Sequence, residues 1–256
     1  MSGYKHFLNN FINMPYRRLP NTDSARIKAM KIAFSKGKDL PPFKLAFSQA
    51  TFTKIQSLLP SYEHALSENK TAYNLQIEKN KDYHKHARKA KLYVSHFIQV
   101  INLAIIRGDL PVTTRAFFGM DEDERKLPSL QTDEELLEWG HKLIEGEKER
   151  RNTNLTPITN PTIAVVKVFF DRFLEVYNFQ NTLKKRCQRA QSDINDKRAA
   201  VDQVIQQLWN EVEDTFKDLP EELRREKASE YGIVYVFRKN EMGPVNLFKN
   251  MSLEIS

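Results

Sequence analysis

One cysteine, Cys187, in a chain of 256 residues rules out an internal disulfide, and no Cys/His spacing typical of a zinc site is present. A reducing compartment, the cytoplasm, is the expected location. Glycine is scarce, with 8 residues beside 11 prolines, and neither type occurs from Ser61 to Arg107 or from Thr162 to Leu219. Stretches of that length exclude a strand-and-turn architecture and predict an all-α chain. Glycine-rich phosphate loops and the G-x-S-x-G nucleophile elbow are missing. Long apolar runs are missing too. Val100–Ile106 is broken by Asn102 and falls far short of the ~20 residues a membrane-spanning helix needs. Near the start, Asn9, Asn10 and Asn13 interrupt Phe7, Leu8, Phe11 and Ile12, so no signal-peptide core forms and no membrane insertion is expected.

Acidic residues are nearly absent from the first fifth of the chain. Residues 1–50 hold nine Lys/Arg and two Asp/Glu, whereas residues 51–256 hold 31 of each, so the whole net charge of +7 resides in a basic leader. A hydrophobic content of 40% is ample for a core.

What is present is said twice. Val94, Phe97, Ile98, Ile101 and Ile105 recur 107 residues later as Val201, Val204, Ile205, Leu208 and Val212. Each seam then runs into an Asp-Leu-Pro, at Asp109–Pro111 and at Asp218–Pro220. Such self-similarity predicts a duplicated helical unit. The second seam reads Val166, Phe169, Phe173, Val176, Leu183, Cys187, Ala190, Ile194, Val201, Val204, Leu208 and Val212, close to heptad spacing. Two arrangements fit it. Long continuous helices could form an extended coiled coil, or each stretch could fold as a hairpin, turning near Ser67–Thr71 and Asn178–Thr182. Ordinary helix lengths favour the second, a four-helix-bundle-like fold of two pseudo-repeated helical hairpins.

The expected organisation is a basic leader over 1–41, a first helical repeat over 42–120, an acidic connector over 121–159, a second repeat over 160–230 and an extended segment over 231–256, forming one globular unit. In the leader, Thr22 or Asp23 caps a short helix that Gly37 ends near Lys36. Its positions Ile27, Met30, Ala33 and Phe34 give it one docking face. Within the connector, Thr132 and Glu135 form a capping-box pattern opening a helix over 132–150. Asn160-Pro161 reads as cap and first turn of the second repeat. Tyr231–Phe237 is β-branched and aromatic, hence extended, with Met242-Gly243-Pro244 able to turn it back as a β-hairpin.

The strings Ser95–Val100, Asn160–Thr162, Leu208–Glu213 and Glu230–Val236 resemble a group of helical proteins from Bacteroidetes, over most of the chain. That group has no assigned activity, so the resemblance implies a fold and no chemistry.

Candidate chemical groups are few. Glu134, Glu138, His141 and Glu145 share one helix face and include an E-x-x-H, the element that di-iron bundles use twice. Here it occurs once. Glu78, Asp82 and His86 make a second ligand-like stripe, but copy two carries Lys185, Arg189 and Asp193 in its place. His96 is expected in the core or in an interhelical hydrogen bond, and Cys187 as a buried thiol on the seam. The basic clusters His84–Lys91 and Lys184–Arg189 read as solvated faces, with no nucleic-acid recognition motif beside them. No catalytic, cofactor-binding or metal-binding residue is therefore assigned, and enzymatic function is not supported. The leading expectation is a non-enzymatic helical bundle acting through protein contact or self-association. The alternative is a nucleic-acid-binding accessory protein using the basic leader, and the third reading is a metal-binding bundle.

Overall fold

A computed structural model describes residues 15–123 and 126–237. Strand β1 (Tyr16–Arg17) is followed by α1 (Asp23–Asp39), a 3-10 turn (Pro42–Lys44), α2 (Gln49–Arg107), a second 3-10 segment (Val112–Phe118), α3 (Asp133–Asn152), α4 (Ile163–Thr215), α5 (Glu221–Ser229) and β2 (Tyr235–Val236). The fold is all-α with one short ribbon. β2 pairs antiparallel with β1, Tyr16 opposite Val236 and Arg17 opposite Tyr235. The extended C-terminal segment is therefore present over Tyr235–Val236, and its partner comes from the leader. The expected turn at 242–244 lies outside the described residues.

The two helical hairpins are not formed. α2 runs unbroken through Ser67–Thr71 and α4 through Asn178–Thr182, so the long-helix alternative is the one observed. Ordinary helix lengths favoured turns, but residues 178–182 hold part of a polar layer instead: Gln180 is buried, and its amide donates to Asn80 Oδ1 at 3.4 Å. A polar pair at a seam position interrupts the apolar contact without interrupting either helix. Pro60 is tolerated inside α2 because Pro60 and Gln56, whose carbonyl loses its amide partner, both face water.

Helix ends follow local chemistry. Thr22 caps α1, accepting from the Ala25 amide at 3.2 Å. Gly37 does not end that helix, which continues to Asp39 until Leu40-Pro41 forces extended backbone. Gly37 serves packing, since a Cβ there would overlap the Phe52 ring. Thr132 caps α3 in a complete capping box with Glu135. Asn160 does not cap α4: its φ of 58° is left-handed, whereas a cap residue needs extended backbone, and the Thr162 carbonyl starts the helix by accepting from Val165 and Val166.

The chain divides into two compact units, one made of residues up to Glu68 together with those from Gln191 on, the other of Asn69–Ala190. Both divisions fall inside the long helices. In the first unit, Met30 and Ala33 of α1 meet Ile55, Leu59 and Tyr62 of α2 and Val201, Ile205, Leu208, Trp209 and Val212 of α4. Lys54 reaches Gln207 and Ser48 reaches Glu211, so α2 and α4 run antiparallel there. In the second unit, Phe97, Ile98 and Ile101 of α2 meet Leu136 and Leu143 of α3 and Val166, Phe170 and Phe173 of α4. Each large apolar side chain fully buried in these cores contributes about 1.5–3 kcal/mol. Phe170 rather than Phe169 is the core residue; Phe169 is half-buried and stacks on Tyr93 at 4.0 Å between centroids.

Candidate functional site

The sequence-expected ligand stripes are engaged mostly in pairs along their own helices. Glu138 pairs with Lys142 at 2.7 Å and Glu145 with Lys148 at 3.0 Å, while His141 lies edge-on to Phe170. Glu78 pairs with Lys79, and His86 Nε2 stands 3.3 Å from Asp82. Among the described residues no three His, Cys, Asp or Glu side chains are placed to hold a metal ion. His96 is exposed and not in the core, because Val94, Phe97, Ile98 and Ile101 set the buried face and residue 96 falls on the other side. Cys187 is only partly buried. No helix among the described residues is long and apolar enough to cross a membrane.

The string Leu208–Glu213 is where one turn of α4 organises the first unit. Leu208, Trp209 and Val212 are core. On the other side of the same turn, Asn210 and Glu213 both accept from Arg17 at 2.8 Å, and Glu213 also accepts from the Tyr235 hydroxyl at 2.7 Å. Burial and then that carboxylate hold the Tyr235 phenol well above its ordinary value. Glu211 accepts from the Ser48 amide and the Thr51 hydroxyl at the start of α2.

Most of the leader's described cations are neutralised by the body. Arg17 meets Glu213, Arg26 meets Asp202 at 2.7 Å, Lys31 meets Glu63 at 2.7 Å and Lys36 meets Glu230 at 3.0 Å. Asp23 receives Arg198 through two nitrogens, at 2.8 and 2.6 Å, and the Tyr62 hydroxyl at 2.6 Å. The Arg198 guanidinium outweighs burial and holds Asp23 at about 2, while burial and then Asp23 push Tyr62 up to about 12. In the second unit the Tyr83 hydroxyl likewise donates to Asp133, the residue after the Thr132 cap.

Among the described residues, two surfaces combine apolar character with access to a ligand or partner. One is a pocket in the first unit of about 490 Å³, bounded by α1, the residues before it, Trp209 and Ile233. The other is a face of α2 in the second unit. Leu92, Leu103 and Ile106 are 63%, 51% and 66% exposed. At about 100° per residue they lie within roughly 60° of one another and opposite the buried seam. With His96 and Gln99 between them, their spacing is 4-3-4-3.

Sequence reasoning missed the buried ionic groups. Glu147 and Arg150 of α3 are almost wholly buried and paired at 2.8 Å. Glu147 also accepts from the Ile158 amide at 2.8 Å, and Arg150 donates to the Thr156 carbonyl at 3.1 Å, so together they fix the linker before α4. Their signal was positional: Leu136, Gly140, Leu143, Glu147 and Arg150 continue one 4-3-4-3 line. Buried Arg115 similarly holds Asn102 Oδ1 and the Glu122 carbonyl. Compared with known proteins, the chain matches no family model, no curated protein and no solved structure.

Proposed function

We propose that this chain is a non-enzymatic helical protein of a reducing compartment, the cytoplasm, that acts through protein contact by self-association along the outward face of α2. The observation that carries the reading is the second heptad line, Leu92, His96, Gln99, Leu103 and Ile106, which faces water while the first faces the core. Heptad-spaced apolar residues on a free helix face suit knobs-into-holes contact with another helix, and polar residues at its middle positions select one register. Size-exclusion chromatography with light scattering tests this. Wild type should have twice the monomer mass, and Leu103→Lys with Ile106→Lys should return it to monomer. A wild-type monomer at all accessible concentrations, or an unchanged mass in the double variant, overturns it.

The nucleic-acid alternative is weakened by the pairing of Arg17, Arg26, Lys31 and Lys36 with acids, which leaves Arg18, Lys28 and Lys38 among the described leader residues for phosphate. Membership of the Bacteroidetes group and a duplicated origin belong to the same reading. Support for duplication comes from the like parts of the two units: a Thr-capped short helix, an Asp after the cap that accepts from a tyrosine, and a long helix followed by Asp-Leu-Pro.

A further inference from the structure

Going beyond that reading, we propose that the pocket beside Trp209 in the first unit binds a small apolar carboxylic acid. Its volume of about 490 Å³ falls within the range of ligand sites, about 300–1,000 Å³. The lining is mainly apolar, with Trp209, Ala29, Ile32 and Ile233 among its residues, and it includes no Asp or Glu. Two cations line it, Arg18 and Lys28, and both are exposed. Neither has an acidic partner among the described residues, in contrast to Arg17 and Arg26 beside them. The Arg18 backbone is held where its N–H donates to the Val234 carbonyl at 2.8 Å, so its guanidinium is carried just past a fixed strand end.

Trp209, 1% exposed, closes the inner wall of the pocket. The chemistry of the two cations and the apolar wall converges. A carboxylate accepts charge-assisted hydrogen bonds from a guanidinium and an ammonium, and an alkyl chain is removed from water against Trp209, Ile32 and Ile233. Apolar carboxylates also occur as peptide C-termini, so the two sources need separate trials.

The test uses the full chain carrying Trp139→Phe, which leaves Trp209 as its one tryptophan. Decanoate, 1-decanol and a short apolar peptide with a free C-terminus are each titrated against Trp209 fluorescence and by calorimetry. Decanoate should bind saturably and at least about tenfold more tightly than decanol, and Arg18→Gln with Lys28→Gln should remove that preference. Because both cations are exposed and have no acidic partner among the described residues, the double variant should keep the parent's melting temperature. Failure of decanoate to bind, equal affinity for decanol, or an unchanged preference in the double variant overturns the proposal. Binding of the peptide without decanoate overturns it in favour of a chain terminus.

Discussion

The Ser48 hydroxyl caps α2 by accepting from the Thr51 amide at 3.2 Å, and the Glu211 carboxylate, 163 residues away in sequence, braces that cap by accepting from the Ser48 amide at 2.8 Å and from the Thr51 hydroxyl at 2.8 Å. Burial raises its pKa, but bonds from Ser48, Gln207 and Thr51 outweigh burial and keep it lowered. Glu211→Ala should cost about 1–2 kcal/mol, the scale of a lost hydrogen bond to a charged group, and Glu211→Gln less because one acceptor oxygen survives. Urea midpoints in that order check the assignment; equal midpoints for wild type and Glu211→Ala would remove it.

Gly140 and Gly146 let α3 approach its neighbours. A Cβ on Gly140 would overlap the Phe170 ring, and one on Gly146 would overlap the Phe117 carbonyl oxygen. Alanine is the better helix former by about 1 kcal/mol. Overpacking should nevertheless win, so that each substitution destabilises by about 1–3 kcal/mol, Gly146→Ala more because a backbone carbonyl cannot rotate aside. Thermal melts of the two variants read this directly.

Truncating one member of the buried pair should be far worse than replacing both. Glu147→Ala leaves Arg150 charged and unpaired and frees the Ile158 amide, a loss of about 3–5 kcal/mol. Glu147→Leu with Arg150→Met should recover most of it, which denaturation of the single and double variants will measure.

Asp23 makes stability depend on acid. Its folded pKa of about 2 lies below the unfolded value of about 3.8, so its contribution is complete above about pH 4 and is lost as pH falls through about 2. The side chain is about a quarter exposed, which limits that contribution to about 1–2 kcal/mol. Asp23→Asn should lower neutral-pH stability by this amount and flatten the acid limb between about pH 4 and pH 2 in a series of melts.

Much of the architecture was legible. Glycine-free and proline-free stretches gave the all-α class, though not the continuity of α2 and α4, and the Thr132 and Glu135 pattern gave a cap that formed as expected. The turn at Asn178–Thr182 misled because it rested on ordinary helix lengths, whereas the pairing of Gln180 with Asn80 lets the helix run on through a polar layer. His96 misled because a lone histidine beside a seam was counted into it, although its angular position places it opposite. Arg115, Glu147 and Arg150 were illegible as core because charge ordinarily marks a solvated face, and their compensation comes from backbone groups of loops that periodicity does not locate. The E-x-x-H of α3 drew notice to Glu138 and His141, whereas its packing residue is Gly140.

The division inside both long helices bears on the order in which a ribosome releases the chain. The second unit is a single contiguous stretch, complete once Ala190 has emerged. The first has its earlier portion, including Tyr62 and Met30, in hand from the start and waits for Gln191 and the residues after it before Trp209 can close its core. Until then the apolar faces of α1 and early α2 have only one another as native cover and lack that of α4. A nascent chain arrested before Trp209 would thus hold one unit whose sequence is whole and another lacking its keystone, an interval in which a chaperone would find Met30, Ile55 and Tyr62 exposed.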